Sequence, residues 1–196
     1  MIETFFKKFA SDSIQPEDFT FSKVNKLKAQ KIIKMYPKNY KQSSIMPLLF
    51  LAQNQNKGWI PKKAIEYIAN YLDVPEIKVL ELATFYSMYN LSPIGDYHIE
   101  ICTTTPCMLR GSDKILSACK KNLGLKIGGR SADKMFSLNK VECLGACVNG
   151  PVVKINKDYY EDLDLKAFDN LIKNIIEKKR NKIGSQKNRK ASEPIR

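Results

Sequence analysis

No apolar run among the 196 residues approaches the roughly eighteen to twenty that a bilayer-crossing helix requires, so no membrane span is expected. The chain has a single histidine and a single tryptophan. No glycine-rich dinucleotide fingerprint follows a strand pattern: Gly128-Gly129 reads as a loop, and neither a phosphate loop nor a hydrolytic constellation is present. The chain alone is therefore expected to bind no dinucleotide or flavin nucleotide. Acidic residues are also scarce, with 20 Asp and Glu against 33 Lys and Arg, a net charge of +13. Such a balance invites a nucleic-acid reading, because lysines neutralise phosphates. Its distribution argues otherwise. Much of the excess lies in residues 177–190, a polar stretch with little to bury and so expected to be disordered. What is present is ordinary: 43% hydrophobic and 27% charged residues, enough for a substantial core in one or two domains.

Cysteine is rare too, but four of the five are arranged in pairs: Cys102-x4-Cys107 and, after a gap of 35 residues, Cys143-x3-Cys147. Two thiolate clips brought together by a fold can hold four metal–sulfur bonds, and a [2Fe–2S] cluster takes two thiolates on each iron. Thr103, Thr104 and Thr105 offer N–H and hydroxyl donors to sulfur, while Gly145 and Ala146 let the second loop approach closely. A four-cysteine zinc site is the alternative on spacing alone, although zinc knuckles usually use two-residue spacers. Disulfides fit poorly, because nothing in the sequence reads as a secretory signal. The lone histidine, His98, sits in a strand pattern and reads as structural. A Rieske centre needs two histidines on one iron and is excluded within one chain. Cys119 stands apart in Ser-Ala-Cys-Lys on an expected helix and reads as a small buried hydrophobe.

The words around these cysteines, Cys-Thr-Thr-Thr-Pro-Cys-Met-Leu-Arg-Gly (102–111) and Val-Glu-Cys-Leu-Gly-Ala-Cys (141–147), resemble one family. So do Gly58-Trp59-Ile60-Pro61, the run Glu81 to Tyr89, and Asp158-Tyr159-Tyr160-Glu161-Asp162-Leu163. The sequence resembles the iron–sulfur subunit of NADH-quinone oxidoreductase (respiratory complex I), called the E-subunit in bacteria and the 24 kDa subunit in mitochondria. That resemblance implies an α/β fold, with a small N-terminal helical bundle followed by a thioredoxin-like [2Fe–2S] ferredoxin domain. It implies one cluster per chain on Cys102, Cys107, Cys143 and Cys147, with FMN and NADH carried only by a flavoprotein partner. Further partners would be other peripheral-arm subunits of complex I, and the location would be the cytoplasmic face of a bacterial inner membrane, or the matrix in a mitochondrion. Equivalent subunits of NAD-linked formate dehydrogenases or hydrogenases share the pattern.

Periodicity outlines the domains. Residues 1–21 read as an N-terminal arm, mobile or partner-docking, whose acidic residues fit a transit peptide poorly. Residues 22–92 read as the bundle: a helix bearing Val24, Leu27, Ile32, Ile33 and Tyr36 on one face, a second over 45–55, a third from Pro61, and a fourth opened by Asp73-Val-Pro-Glu76 and running to about Met88. The last two could form a helix-turn-helix. The apolar run from Ile77 to Tyr89 offers little to base edges, so DNA binding is the remote reading and no nucleic-acid partner is expected. Residues 93–179 read as a β-α-β-β-β-α layer, with strands over 97–102, 125–127, 136–141, 152–155 and 159–160, a helix from Ser112 or Asp113 to Lys121, and a closing helix over 163–179. Residues 180–196 read as a disordered basic tail.

Overall fold

A computed structural model describes residues 7–190, in two compact units that divide between Ile94 and Gly95. The first unit contains four helices: α1 (Lys23–Lys34), α2 (Ile45–Gln55), α3 (Lys62–Leu72) and α4 (Glu76–Phe85). Ser22 caps α1 by accepting the Asn25 N–H at 3.2 Å, leaving one fewer orphan donor at that helix start. The apolar face expected of α1 is only partly used. Ala29 is fully buried, whereas Val24 and Leu27 are exposed, because a small residue lets the helix lie close to its neighbours. Asp73 does not cap α4 as its position suggested; it adopts φ 52° and closes α3, and α4 begins at Glu76 behind Pro75 and stops at Phe85. The core is filled by Leu48, Leu49, Ala52, Ile65, Ile68 and Val79.

The arm expected over residues 1–21 belongs to this unit from Lys7 onward, while residues 1–6 lie outside the described residues. Phe21 is buried, and Phe19, Phe21, Tyr67 and Tyr71 form a cluster of edge-on and stacked rings. Rings of this size dominate local burial without any helical period, so periodicity alone did not reveal the docking. Gln15 Oε1 also accepts the Lys62 N–H at 3.0 Å, capping α3 from the arm.

The second unit is one six-stranded mixed sheet with three helices. Its strands are β1 (Tyr97–Cys102), β2 (Gly129–Arg130), β3 (Phe136–Val141), β4 (Val153–Ile155), β5 (Asp158–Glu161) and β6 (Gly184–Ser185), in the order β2-β3-β1-β4-β5-β6. The helices are α5 (Thr105–Leu109), α6 (Ser112–Leu123) and α7 (Leu165–Ile176). β1 and β3 are parallel, joined through α5 and α6, and β4 lies antiparallel to β1. Period two sorts β1 by face: Ile99 and Ile101 join Ile115, Leu138, Phe168 and Leu171 in the core, leaving His98, Glu100 and Cys102 on the opposite face. The strand expected over 125–127 forms instead at Gly129–Arg130, because Leu125 is drawn into the core at the end of α6.

The tail differs most from expectation. Ser185 is buried, β6 extends the sheet beside β5 and Arg189 pairs with Asp162, so the tail is tied down at these residues while most of its other side chains stay exposed; residues 191–196 lie outside the described residues. Charge-rich composition hid this, since the docking uses backbone pairing and one salt bridge rather than apolar area.

His98 is buried, its Nδ1 2.7 Å from Ser137 Oγ and its Nε2 3.5 Å from Asn139 Nδ2. Burial, aided by Lys154 and opposed by Glu100, holds the imidazole below its ordinary pKa. The unfolded chain then binds the proton better, so His98 makes stability fall as pH drops below about 6.5. Denaturant midpoints on either side of that value should show the loss, and His98→Gln should flatten it.

Candidate metal centre

Cys102 is the last residue of β1 and pairs with Val141, the last residue of β3. Because the two strands are parallel, both chains leave the sheet at the same edge, and the second clip begins two residues beyond β3. That is how residues far apart in sequence arrive together. Cys107 lies inside the short helix α5, ahead of the start of α6 at Ser112, and Cys147 opens a 3-10 turn, Cys147–Asn149.

Each clip brings its own two thiols into contact. The Cys102 and Cys107 thiols touch one another, and the Cys143 and Cys147 sulfurs are 3.3 Å apart. All five cysteines are free thiols. A disulfide would hold its sulfurs at about 2.05 Å, whereas a tetrahedral metal with sulfur bonds of about 2.3 Å separates two thiolates by about 3.8 Å. The observed spacing is near the second value. Among the described residues no group of three or more His, Cys, Asp or Glu side chains is placed around one ion. Two clips of two thiols each at one sheet edge offer the ligand count of a dinuclear centre, two thiolates per metal, and equally that of a four-cysteine zinc site.

Donors surround the sulfurs. Thr104 Oγ1 lies 3.2 Å from Cys102 Sγ, and the Gly145 N–H donates to Cys143 Sγ at 3.3 Å. Burial pushes the Cys102 thiol up, but donation by the Thr104 hydroxyl and by the N–H groups of Thr104 and Leu144, with Cys107 beside it, leaves it below the ordinary thiol value. The Leu144 donor ties the second loop to the first clip's sulfur. Cys107 is pushed up to about 12 by burial and then by Cys102, with the Val152 N–H acting the other way. Cys147 is raised by the neighbouring Cys143 thiol first, then by burial. Metal binding removes these protons, so the same N–H groups would donate to thiolates.

The three threonines are not equivalent. Thr104 alone donates to sulfur, while the Thr103 N–H goes to Val141 O at 3.3 Å and Thr105 opens α5. The glycines divide their tasks as well. Gly145 adopts φ 85°, which a side chain would strain, but a Cβ there would meet nothing; the close approach is made at Gly150, where a Cβ would stand 3.4 Å from Cys107 Sγ. Arg110 Nε donates to Gly150 O at 2.7 Å, pinning that loop from the first clip. Asp162 falls in one of the words that carry the family resemblance, but its local pattern does not mark it as part of the site. Burial pushes its carboxyl up, but the Arg189 guanidinium and the Ser185 hydroxyl outweigh this and hold it below the usual range. Cys102 and Cys107 are buried, Cys147 is half-buried and Cys143 is exposed, so the first clip lies inside the fold and the second nearer its surface.

Parallel strands that carry two two-thiol loops to one edge of a small mixed sheet define a thioredoxin-like ferredoxin. Residues 29–176 match the family model described as thioredoxin-like [2Fe–2S] ferredoxin, and the chain belongs to that family, in the line of the NADH-quinone oxidoreductase E-subunits. The NADH-quinone oxidoreductase E-subunit of Rickettsia felis is 56% identical over 155 residues, covering 79% of this chain and 93% of that protein. Its counterpart in Rickettsia prowazekii is 52% identical over 165 residues, 84% and 93% of the two chains. The mitochondrial NADH dehydrogenase [ubiquinone] flavoprotein 2 of Dictyostelium discoideum is 46% identical over 182 residues, 93% of this chain and 74% of that one. Among solved structures, an H2-reduced NAD+-reducing [NiFe]-hydrogenase superimposes with a TM-score of 0.56 at 21% identity, over 67% of this chain and 22% of that chain. At that identity the likeness concerns the fold alone.

Proposed function

We propose that this chain is the [2Fe–2S] electron-transfer subunit of the NADH-oxidising module of an NADH-quinone oxidoreductase, with Cys102, Cys107, Cys143 and Cys147 as the cluster ligands. The observation that carries the reading is the pairing of two thiol clips at one sheet edge by parallel β1 and β3. Identities of 52–58% to NADH-quinone oxidoreductase E-subunits support this complex over the hydrogenase, which is related at 21%. When bound, a [2Fe–2S] cluster stores one electron. The four thiolates would hold the irons. The N–H donors of Thr104, Leu144, Gly145 and Val152 and the hydroxyl of Thr104 would stabilise negative charge on the sulfurs of a bound, reduced cluster. Buried Cys102 and Cys107 lie inside the fold, and exposed Cys143 would face a partner.

The partner would be a flavoprotein that binds NADH and FMN, since a flavin can take a hydride and pass electrons singly to a one-electron centre. Other peripheral-arm subunits would complete the surroundings, and the complex would hold the chain at the cytoplasmic face of a bacterial inner membrane or in a mitochondrial matrix. Among the described residues no helix is long and apolar enough to cross a membrane.

The test is purification alone and with the flavoprotein. Alone, the protein should be brown, carry about two irons and two acid-labile sulfides, and leave NADH unoxidised. Together, NADH should reduce the centre and produce its EPR signal. One zinc with no visible absorption, or NADH–ferricyanide activity in flavoprotein-free material, would overturn the assignment.

A further inference from the structure

The family match ends at residue 176, yet the chain beyond it returns to the metal centre. Arg189 Nη2 donates to Val148 O at 2.6 Å, directly beside Cys147, and to Asp162 Oδ1 at 2.6 Å, while its Nε lies 3.0 and 3.1 Å from the two Asp162 oxygens. The Asp162 side chain is fully buried beneath it. Ser185 Oγ donates to Asp162 Oδ2 at 2.6 Å and accepts the N–H groups of Lys187 and Arg189 at 3.2 and 3.0 Å, which folds the tail into the shape that delivers the guanidinium. β6 anchors this turn beside β5. From the other side, the Asp162 N–H donates to Asn149 O at 2.6 Å and Asn149 Nδ2 to Glu161 Oε2 at 2.7 Å. The turn Cys147–Gly150 is thus held at successive carbonyls: Val148 by Arg189, Asn149 by Asp162 and Gly150 by Arg110.

We propose that residues 184–189 are a latch on the second cysteine loop, and that Arg189 is a positioning residue that keeps Cys147 aimed at its iron. The inference rests on the four-cysteine reading above. Its logic is geometric. A bidentate guanidinium–carboxylate pair is directional, and here the same guanidinium reaches a backbone carbonyl one residue from a thiol in the more exposed clip. Lysine can supply the charge but not the fork, so it should restore little.

The experiment uses the full chain with its cluster: native, Arg189→Ala, Arg189→Lys, and Lys187→Ala, which keeps the Lys187 N–H bond to Ser185 and removes only an exposed side chain that the latch does not use. Each is exposed to an iron chelator, and the decay of visible absorption is followed; reduced-state EPR g-values are recorded before chelation. Because outer-shell partners of metal ligands typically change metal affinity ten- to a hundredfold, Arg189→Ala should lose its cluster on the order of tenfold faster than native protein. Its g-values should shift, Arg189→Lys should resemble it, and Lys187→Ala should match native. Equal chelation rates and unchanged g-values in Arg189→Ala would overturn the latch while leaving the cluster assignment intact. A native protein with no iron would instead remove the reading on which it rests. An Arg189→Ala variant that loses cluster faster only in step with a lowered melting temperature, with unshifted g-values, would also overturn it, since global destabilisation would then account for the loss.

Discussion

Serine at Cys102, Cys107, Cys143 or Cys147 should strip the protein of its visible absorption and reduced-state EPR signal, lowering cluster content by more than about tenfold, while Cys119→Ser should retain both. Serine keeps the size of cysteine but replaces a soft thiolate with a poor iron ligand, and no fifth thiol is available nearby to substitute. Cys143 makes the cleanest test of ligation. It is exposed, so its replacement leaves the packing of the unit alone, and lost cluster with an intact fold by circular dichroism identifies a ligand. Cys119 should behave in the opposite way. It is fully buried in the sheet–helix core with Ile99, Ile115 and Phe168, and burial raises its thiol to about 12. A serine hydroxyl there replaces an apolar thiol in the core and should cost about 1–3 kcal/mol of stability with the cluster retained. An undiminished EPR signal in Cys143→Ser would remove that residue from the centre.

Lys154→Ala should lower the stability of the second unit by about 3–5 kcal/mol, the usual cost of stranding a buried charge. Glu100 is buried on the same face of β1 as Cys102, and Lys154, opposite it on β4, supplies its ion pair at 2.6 Å. Removing the lysine leaves a carboxylate with 7% side-chain exposure without the cation that pairs with it. The double variant Glu100→Gln/Lys154→Met should recover most of the loss, since it removes both charges while keeping volume. Thermal melts of the native protein, Glu100→Gln, Lys154→Met and the double variant form a double-mutant cycle with a large coupling expected. A loss below about 1 kcal/mol in Lys154→Ala, the range of a solvent-exposed pair, would show that water reaches Glu100.

Much of this architecture is readable in the chain. β1, β3 and α2 begin and end where alternation and helical spacing place them, at Tyr97–Cys102, Phe136–Val141 and Ile45–Gln55, because each has a strong period between clear breaks. Weaker signals mislead for identifiable reasons. Leu125 to Ile127 has strand-like residues, but Leu125 serves the α6 end of the core and the pairing slips to Gly129–Arg130. Asp73 suits both an N-cap and a left-handed C-terminal position, and local sequence does not choose between them. The docked part of the tail is illegible because one arginine and two residues of backbone pairing leave no periodic trace.

The chemistry of this protein is written in its residues: four cysteines in two clips, one histidine, no nucleotide fingerprint, and family-specific words around the ligands, all of them properties of residue type and short spacing. The assembly of that chemistry belongs to the folded chain. Parallel pairing of β1 and β3 brings the clips to one edge, the Leu144 N–H reaches from one clip to the sulfur of the other, and Arg189 returns to the loop after Cys147. These are contacts between residues tens of positions apart, and they are set by strand direction and hydrogen-bond geometry, which no local pattern of hydrophobicity or charge encodes.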